Sequence, residues 1–346
     1  MKKLVDGLAR MSGLRDRDEL DFAFIRLVAD CASDSVDSTW LVRVVGDGED
    51  RRCLTRARLD AQHTQPLRDA AWTNWDALPK LVDFPGRQEA YERGKVVHVG
   101  SGPHTTIFPI GGGQGVWAIL EIESKLAISA QTEAVIEGIV LTYQNLHGLL
   151  DYGEKDALTE LLNRKTFDGA FFKATAEQDT FVADEEHPDR RMAGPNGSYW
   201  LAMLDIDHFK RVNDNFGHLI GDEVLLLMAR LMRSNFRFHD QLYRFGGEEF
   251  VILMRCDNAG DAKNALERLR SSVQAHVFPQ VGTITISIGF SVLRENDTPG
   301  GAFGRADKAV YYAKEHGRNQ VCSFQELVLA GELVEQASEA MDVDLF

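Results

Sequence analysis

The chain has 346 residues, 44% of them apolar and 26% charged, which is more than one hydrophobic core usually holds and predicts two domains with little disorder. Its 53 acidic and 38 basic residues leave a net charge of -15, which repels nucleic acid, and its four scattered cysteines (no Cys-x-x-Cys) fit a reducing cytoplasm better than a zinc or disulfide framework. The first ten residues lack the apolar core of a signal peptide, and the most apolar run, Val224 to Met232, is broken by Arg230 and falls far short of the ~20 residues that cross a bilayer, so neither secretion nor a membrane is expected.

Apolar residues at Leu20, Phe24, Leu27, Val28 and Cys31 predict a helix over 18–32, followed by a strand at 39–45. Further strands are expected at 95–99, 105–110 and 115–122, the last two joined by Gly111-Gly112-Gly113. The closing pattern, Phe108-Pro109-Ile110, a glycine turn and Gly115-Val116-Trp117-Ala118-Ile119-Leu120-Glu121-Ile122, resembles the last hairpin of GAF sensory domains. The resemblance implies a sensor of α/β type over 1–126. Its aromatic and histidine residues (Trp40, Trp72, Trp75, Phe84, Tyr91, Trp117, His63, His98, His104) read as core more readily than as a ligand pocket.

From 129 to 152, apolar residues at Val135, Ile136, Ile139, Val140, Tyr143, Leu146, Leu149 and Leu150 keep helical spacing. It reads either as a helix packed on its own domain or as a connecting helix (127–155) that pairs with its copy in a dimer, and its position between two domains favours the second. A polar stretch over 183–198 reads as a surface loop inserted after a helix at 167–177. Beyond it are expected a strand (199–206), a helix (222–236), a hairpin (241–245 and 249–254), a helix (259–276), a strand (283–293), a helix (304–316) and a last strand (320–324). That order, βαββαβ, is α+β and ferredoxin-like, with helices expected on one face of the sheet. The domain runs from 156 to 325, and 326–346 is a tail.

Asp205 and Asp207 close an apolar strand, where alternation points both carboxylates to one face and one of them is placed for an ion. Glu248 and Glu249 follow Gly246-Gly247 in a tight turn, whose glycines permit positive φ and close approach of a ligand. An isolated Gly-Gly-Glu-Glu is ordinarily a solvated turn. On adjacent strands of one sheet, these acids supply the hard oxygens that a nucleotide-bound Mg²⁺ requires, with Lys210, Lys314 and Arg318 as counter-charges for a triphosphate. Asn213 and Asp222 could read a purine edge, although Asp222 also suits a helix start.

Five blocks then match in order: Asp156-Ala-Leu-Thr-Glu-Leu-Leu-Asn-Arg164; Asp205-Ile-Asp-His-Phe-Lys-Arg-Val-Asn-Asp214 with Gly217-His218 and Gly221-Asp222; Arg244-Phe-Gly-Gly-Glu-Glu-Phe250; Thr285-Ile-Ser-Ile-Gly289; and Ala306-Asp-Lys-Ala-Val-Tyr-Tyr-Ala-Lys314 with Gly317-Arg318-Asn319. The segment from Asp156 to Phe324 resembles the GGDEF family of diguanylate cyclases. The resemblance implies a cytoplasmic enzyme that condenses two GTP into cyclic di-GMP and two pyrophosphates, with Mg²⁺ (or Mn²⁺) held by the Asp205 carboxylate, the Ile206 carbonyl and Glu248, and Glu249 nearby. Glu248 would also help deprotonate the attacking 3′-hydroxyl. Asn213 and Asp222 would read guanine, Phe209 and Lys210 would hold the terminal phosphates beside the Gly246-Gly247 turn, and Lys314 and Arg318 would bind the γ end.

Two such half-sites must face each other, so a homodimer through the connecting helix and sensor is implied. Arg237-Phe-His-Asp240 matches the family's RxxD product-binding inhibitory site. Glu160 stands where the family usually has Gly at a helix end, and Lys165 where a second Arg is common. The rival reading is a catalytically inactive receptor of GTP or cyclic di-GMP, which an altered turn or a lost Asp205 would have signalled.

Overall fold

The computed structural model describes residues 2–32, 36–60, 63–69, 73, 75–100, 104–112, 115–180 and 197–335, excepting the side chains of 63–65 and 176–180. The chain divides into two compact units, Met1–Gly153 and Glu154–Phe346.

The first unit runs α1 (Lys2–Gly13), α2 (Arg17–Ala32), β1 (Val36–Val45), β2 (Arg52–Asp60), β3 (His63–Leu67), α3 (Pro85–Arg93), β4 (Val97–Val99), β5 (His104–Gly112), β6 (Gly115–Ser124) and α4 (Ala130–Glu154). Its six strands form one antiparallel sheet in the order β3-β2-β1-β6-β5-β4. Alternation along β1 and β6 divides the core. Leu41, Ala118, Leu120 and Ile122 meet Phe24 and Val28 of α2 and Ile136, Ile139 and Tyr143 of α4. Val42 and Ile119 meet Leu81 and Ala90 on the other side, where Trp40, Phe84 and Tyr91 also pack, as their core reading expects. Trp72 lies outside the described residues.

Sequence patterning did not foresee α1, α3, β2 or β3. In β2 the arginines Arg52, Arg56 and Arg58 break the apolar alternation; all three are half-buried and salt-bridged, while Cys53, Leu54 and Ala57 are the residues the strand buries. The helix expected over 129–152 is α4, and it packs on its own unit through its middle.

The second unit continues with β7 (Leu162–Asn163), α5 (Phe167–Thr180), β8 (Ser198–Ile206), α6 (Phe209–Phe216), α7 (His218–Asn235), β9 (Gln241–Gly246), β10 (Glu249–Cys256), α8 (Ala259–Ala275), β11 (Val277–Phe278), β12 (Gly282–Thr283), β13 (Ile286–Val292), α9 (Pro299–Glu315), β14 (Val321–Ser323) and α10 (Phe324–Leu329). The main sheet has the order β14-β13-β8-β10-β9-β7, so its four long strands follow the ferredoxin-like pattern with β8 and β10 central. Of the loop expected at 183–198, residues 183–196 lie outside the described residues.

One expectation is corrected: helices cover both faces of this sheet. Ala202, Leu204 and Ile206 of β8, Phe250 and Ile252 of β10, and Ile286, Ile288 and Phe290 of β13 bury against α7 and α8, each contributing about 1.5–3 kcal/mol where a large side chain is fully enclosed. The opposite face of β13 reads Ser287-x-Gly289-x-Ser291, which looks solvated. Those small residues instead admit α9: a Cβ on Gly289 would stand 2.3 Å from both the Ala306 carbonyl oxygen and the Val310 nitrogen. The helix lies close enough to carry Lys314 to the end of β8.

Candidate active site

Asp205 is the last odd-numbered residue of β8, so its carboxylate emerges on the α9 face. In register beside it stand Glu249 of β10 and Ser287 of β13. The Lys314 ammonium at the end of α9 lies 2.7 Å from Asp205 Oδ2. Burial pushes the Asp205 carboxyl above its ordinary range, and the Asp207 charge adds to this against the pull of Lys314 and Arg318.

Glu248 belongs to the turn between β9 and β10, in which Gly246 and Gly247 hold φ of +151° and +51°. A Cβ at either glycine would meet nothing within 4 Å, so backbone conformation, not space, demands glycine there. Arg244 fixes the turn by donating from Nε and Nη2 to the Gly247 carbonyl (3.1 and 3.0 Å) and from Nη1 to Asp156 Oδ1 (3.0 Å). The same Asp156 oxygen accepts from the Thr159 amide and hydroxyl. Burial works against the Asp156 charge, but the bonds from Thr159 and Arg244 outweigh it and hold the carboxyl below its ordinary range. Glu248 is half-buried, and its carboxyl is raised by burial, then by Asp205 and Glu249, with Lys314 opposing.

Asp207 has a different task. Its Oδ1 accepts from the Ser287 hydroxyl (2.7 Å), and its Oδ2 accepts from the Thr285 hydroxyl (2.7 Å) and the Asn319 amide (3.1 Å). It is buried and takes three hydrogen bonds from the protein, so of the Asp205–Asp207 pair it is Asp205 that is better placed for an ion. Asp207 also secures the left-handed turn Gly317-Arg318-Asn319, which carries the exposed Arg318. Sequence reasoning missed the anchoring roles of Arg244, Thr285 and Ser287, though all three stand inside the matched blocks.

Among the described residues no three His, Cys, Asp or Glu side chains form a group that could hold a metal ion by themselves. Asp205, Glu248 and the Ile206 carbonyl are hard oxygen donors that could contribute to holding a divalent cation, and the Lys314 ammonium sits in the same negative potential.

Other expected residues lie on the two helices that follow β8. Phe209 opens α6 with its ring buried, whereas Lys210 is exposed. A Cβ on Gly221 would sit 2.0 Å from Asn213 Oδ1, so glycine at 221 makes room for the Asn213 amide. Asp222 is exposed one turn inside α7, which starts at His218; capping is therefore not its role. Arg237 and Asp240 lie apart in the loop before β9. There Asp240 Oδ2 accepts from the Arg237 amide (2.9 Å), and burial raises its carboxyl to about 6.

Residues 154–320 match the family model "Diguanylate cyclase, GGDEF domain". The chain is 35% identical over 207 residues to diguanylate cyclase DgcP of Pseudomonas aeruginosa, covering 58% of this chain and 29% of that protein. It is 38% identical over 183 residues to the response regulator PleD of Caulobacter vibrioides, covering 51% of this chain and 37% of that one. The matched segment thus spans about a third of these relatives. A solved structure of the GGDEF domain of DgcB from Caulobacter crescentus, in complex with c-di-GMP, is 31% identical over 50% of this chain and 96% of that one, with a TM-score of 0.44. Residues 154–320 are therefore a GGDEF domain, homologous to that of curated diguanylate cyclases.

Proposed function

We propose that the chain is a dimeric, Mg²⁺-dependent diguanylate cyclase that joins two GTP into cyclic di-GMP and releases two pyrophosphates. The observation that carries this is the convergence of Asp205, Glu248 and Lys314 at the end of β8, beside a turn kept open by two positive-φ glycines. Each copy holds one GTP, with Asn213 and Asp222 at the guanine edge and Lys210, Lys314 and Arg318 along the triphosphate. Glu248, whose raised pKa suits proton acceptance, takes the proton of the 3′-hydroxyl as that oxygen attacks the α-phosphorus of the other copy's nucleotide. The P–O bond to pyrophosphate breaks in the same displacement, and a second, symmetric step closes the ring. Mg²⁺, held by Asp205, Ile206 and Glu248, would neutralise charge on the phosphates.

The first unit, an antiparallel sheet flanked by helices on both faces, supports the reading of a GAF-like sensor over 1–126, joined by α4 to the cyclase. Arg237 and Asp240, set apart from the catalytic acids in their own loop, support a separate site for product inhibition. The test is product analysis of the full-length protein incubated with GTP and Mg²⁺, after removal of co-purified nucleotide. Cyclic di-GMP is expected from the wild type and at least a hundredfold less from Glu248→Gln. Binding of GTP without turnover by either protein, across a range of protein concentration, would favour the receptor reading instead.

A further inference from the structure

The turn Gly317-Arg318-Asn319 that follows α9 holds φ of +107°, +63° and +47°. Among the described residues it is the one place where two consecutive non-glycine residues adopt positive φ. Asparagine tolerates that region, but arginine in it is strained, and glycine would be the ordinary choice. Such strain persists only where the surroundings over-determine it, and it collects at sites where a side chain must be aimed.

Several hydrogen bonds enforce this turn. The Arg318 amide donates to the Ala313 carbonyl (2.9 Å), and the Asn319 amide donates to Asp207 Oδ2 (3.1 Å). Just beyond, Gln320 Nε2 donates to the Ala313 and His316 carbonyls, each at 2.9 Å. A further contact comes from another element. Arg270 of α8 donates from Nη1 to Asn319 Oδ1 (2.8 Å), while its Nε and Nη2 engage Glu267 Oε2 (2.6 Å) and Ser271 Oγ (3.1 Å) on its own helix. Asn319 is thus clamped by its side chain to α8 and by its backbone to the residue that follows β8. Arg318 itself stays exposed, and its charge acts on the Asp205 carboxyl.

We propose that Asn319 is a positioning residue: held by Arg270 and Asp207, it fixes the turn that aims Arg318 at the terminal phosphate, and so sets the preference for a nucleoside triphosphate over a diphosphate. This rests on the reading of Arg318 as a phosphate contact. A guanidinium fork pairs with phosphate oxygens in one orientation, so a turn free to swing keeps the charge near the site and loses the paired bonds. Arg270 acts from α8, which supplies none of the proposed nucleotide contacts.

The test is equilibrium binding to the full-length protein, freed of co-purified nucleotide and with Mg²⁺ present, of GDP and of a GTP analogue whose α,β-methylene bridge resists cleavage. The wild type is expected to bind the analogue more tightly than GDP, and Arg318→Ala to lose most of that preference. Asn319→Ala and Arg270→Leu should each weaken the analogue at least fivefold while changing GDP less than twofold. In the Arg318→Ala background neither should weaken the analogue further, because both act through Arg318. Equal losses for GDP and the analogue would make the bracing merely structural, and added losses on top of Arg318→Ala would give Asn319 a role apart from Arg318; either result overturns the inference. A triphosphate preference that survives Arg318→Ala would instead overturn the reading of Arg318 itself, and this inference with it.

Discussion

Glu160 holds φ at +57°, in the left-handed region that the sequence comparison with glycine led one to expect. Its amide caps the turn by donating to the Asp156 carbonyl, so the conformation is enforced next to the Asp156–Arg244 anchor. Glu160→Gly should therefore stabilise the protein by about 0.5–1 kcal/mol, the left-handed strain outweighing the entropy of glycine in the unfolded chain. Urea midpoints read this directly, and a destabilised variant would refute it. Asp240 has the opposite character. Burial raises its carboxyl from 3.8 to about 6, so the folded state binds that proton more tightly than the unfolded chain. Its contribution is most favourable at acid pH and is lost as pH rises through 6, reaching a penalty of up to about 3 kcal/mol. Asp240→Asn, which can still accept from the Arg237 amide, should thus be more stable than wild type at pH 8, and the difference should vanish near pH 4. His239, lowered to about 4 by burial and by Arg237 and Arg255, is common to both proteins and largely cancels. A gap that does not change with pH would show that Asp240 acts through packing alone.

Two glycines separate what an element needs from what a side chain needs. Gly289 of β13 faces backbone atoms of α9 at 2.3 Å, and neither element can give way without parting sheet from helix. Gly289→Ala should cost about 1–3 kcal/mol or more and loosen Lys314 from Asp205. Gly221 of α7 faces the Asn213 amide, the end of a flexible side chain, with the Phe209 ring next at an ordinary 3.4 Å. Gly221→Ala should leave the melting temperature nearly unchanged while raising KM for GTP several-fold; equal melting losses in both variants would contradict the distinction. The same contrast explains what was legible beforehand. Residues whose chemistry is local to a short block, the Gly246-Gly247 turn with its acids and Asp205 at its strand end, could be read without the fold. The face that α9 covers could not: Ser287-x-Gly289-x-Ser291 is small because a backbone lies against it, and smallness in a strand looks the same as polarity. The start of α7 was misplaced because Asp222 resembles a cap, while the true first turn begins at His218 after Gly217. In the first unit, β2 hides its period among arginines, of which Arg56 reaches Asp18 and Asp21 on α2.

At the scale of the whole molecule, the proposed chemistry needs two copies, since a single GTP site cannot close a ring between two nucleotides. α4 has one side committed to its own unit through Ile136, Ile139, Val140 and Tyr143. Leu141, Leu149 and Tyr152 remain outside, the last two 68% and 88% exposed. Their spacing of eight and three residues keeps them on one side of the helix, as a pairing seam with a second copy requires. If that seam holds the dimer, specific activity should rise with protein concentration until the dimer saturates. Leu149→Asp and Tyr152→Asp, which place charge in the seam and touch no site residue, should each shift the half-maximal concentration upward at least tenfold. The plateau turnover and KM for GTP should stay at wild-type values, because the half-sites themselves are unaltered. Curves that coincide with wild type would move the dimer contact elsewhere on the chain, and a lowered plateau with no shift in concentration would mean that α4 acts on turnover without holding the copies together.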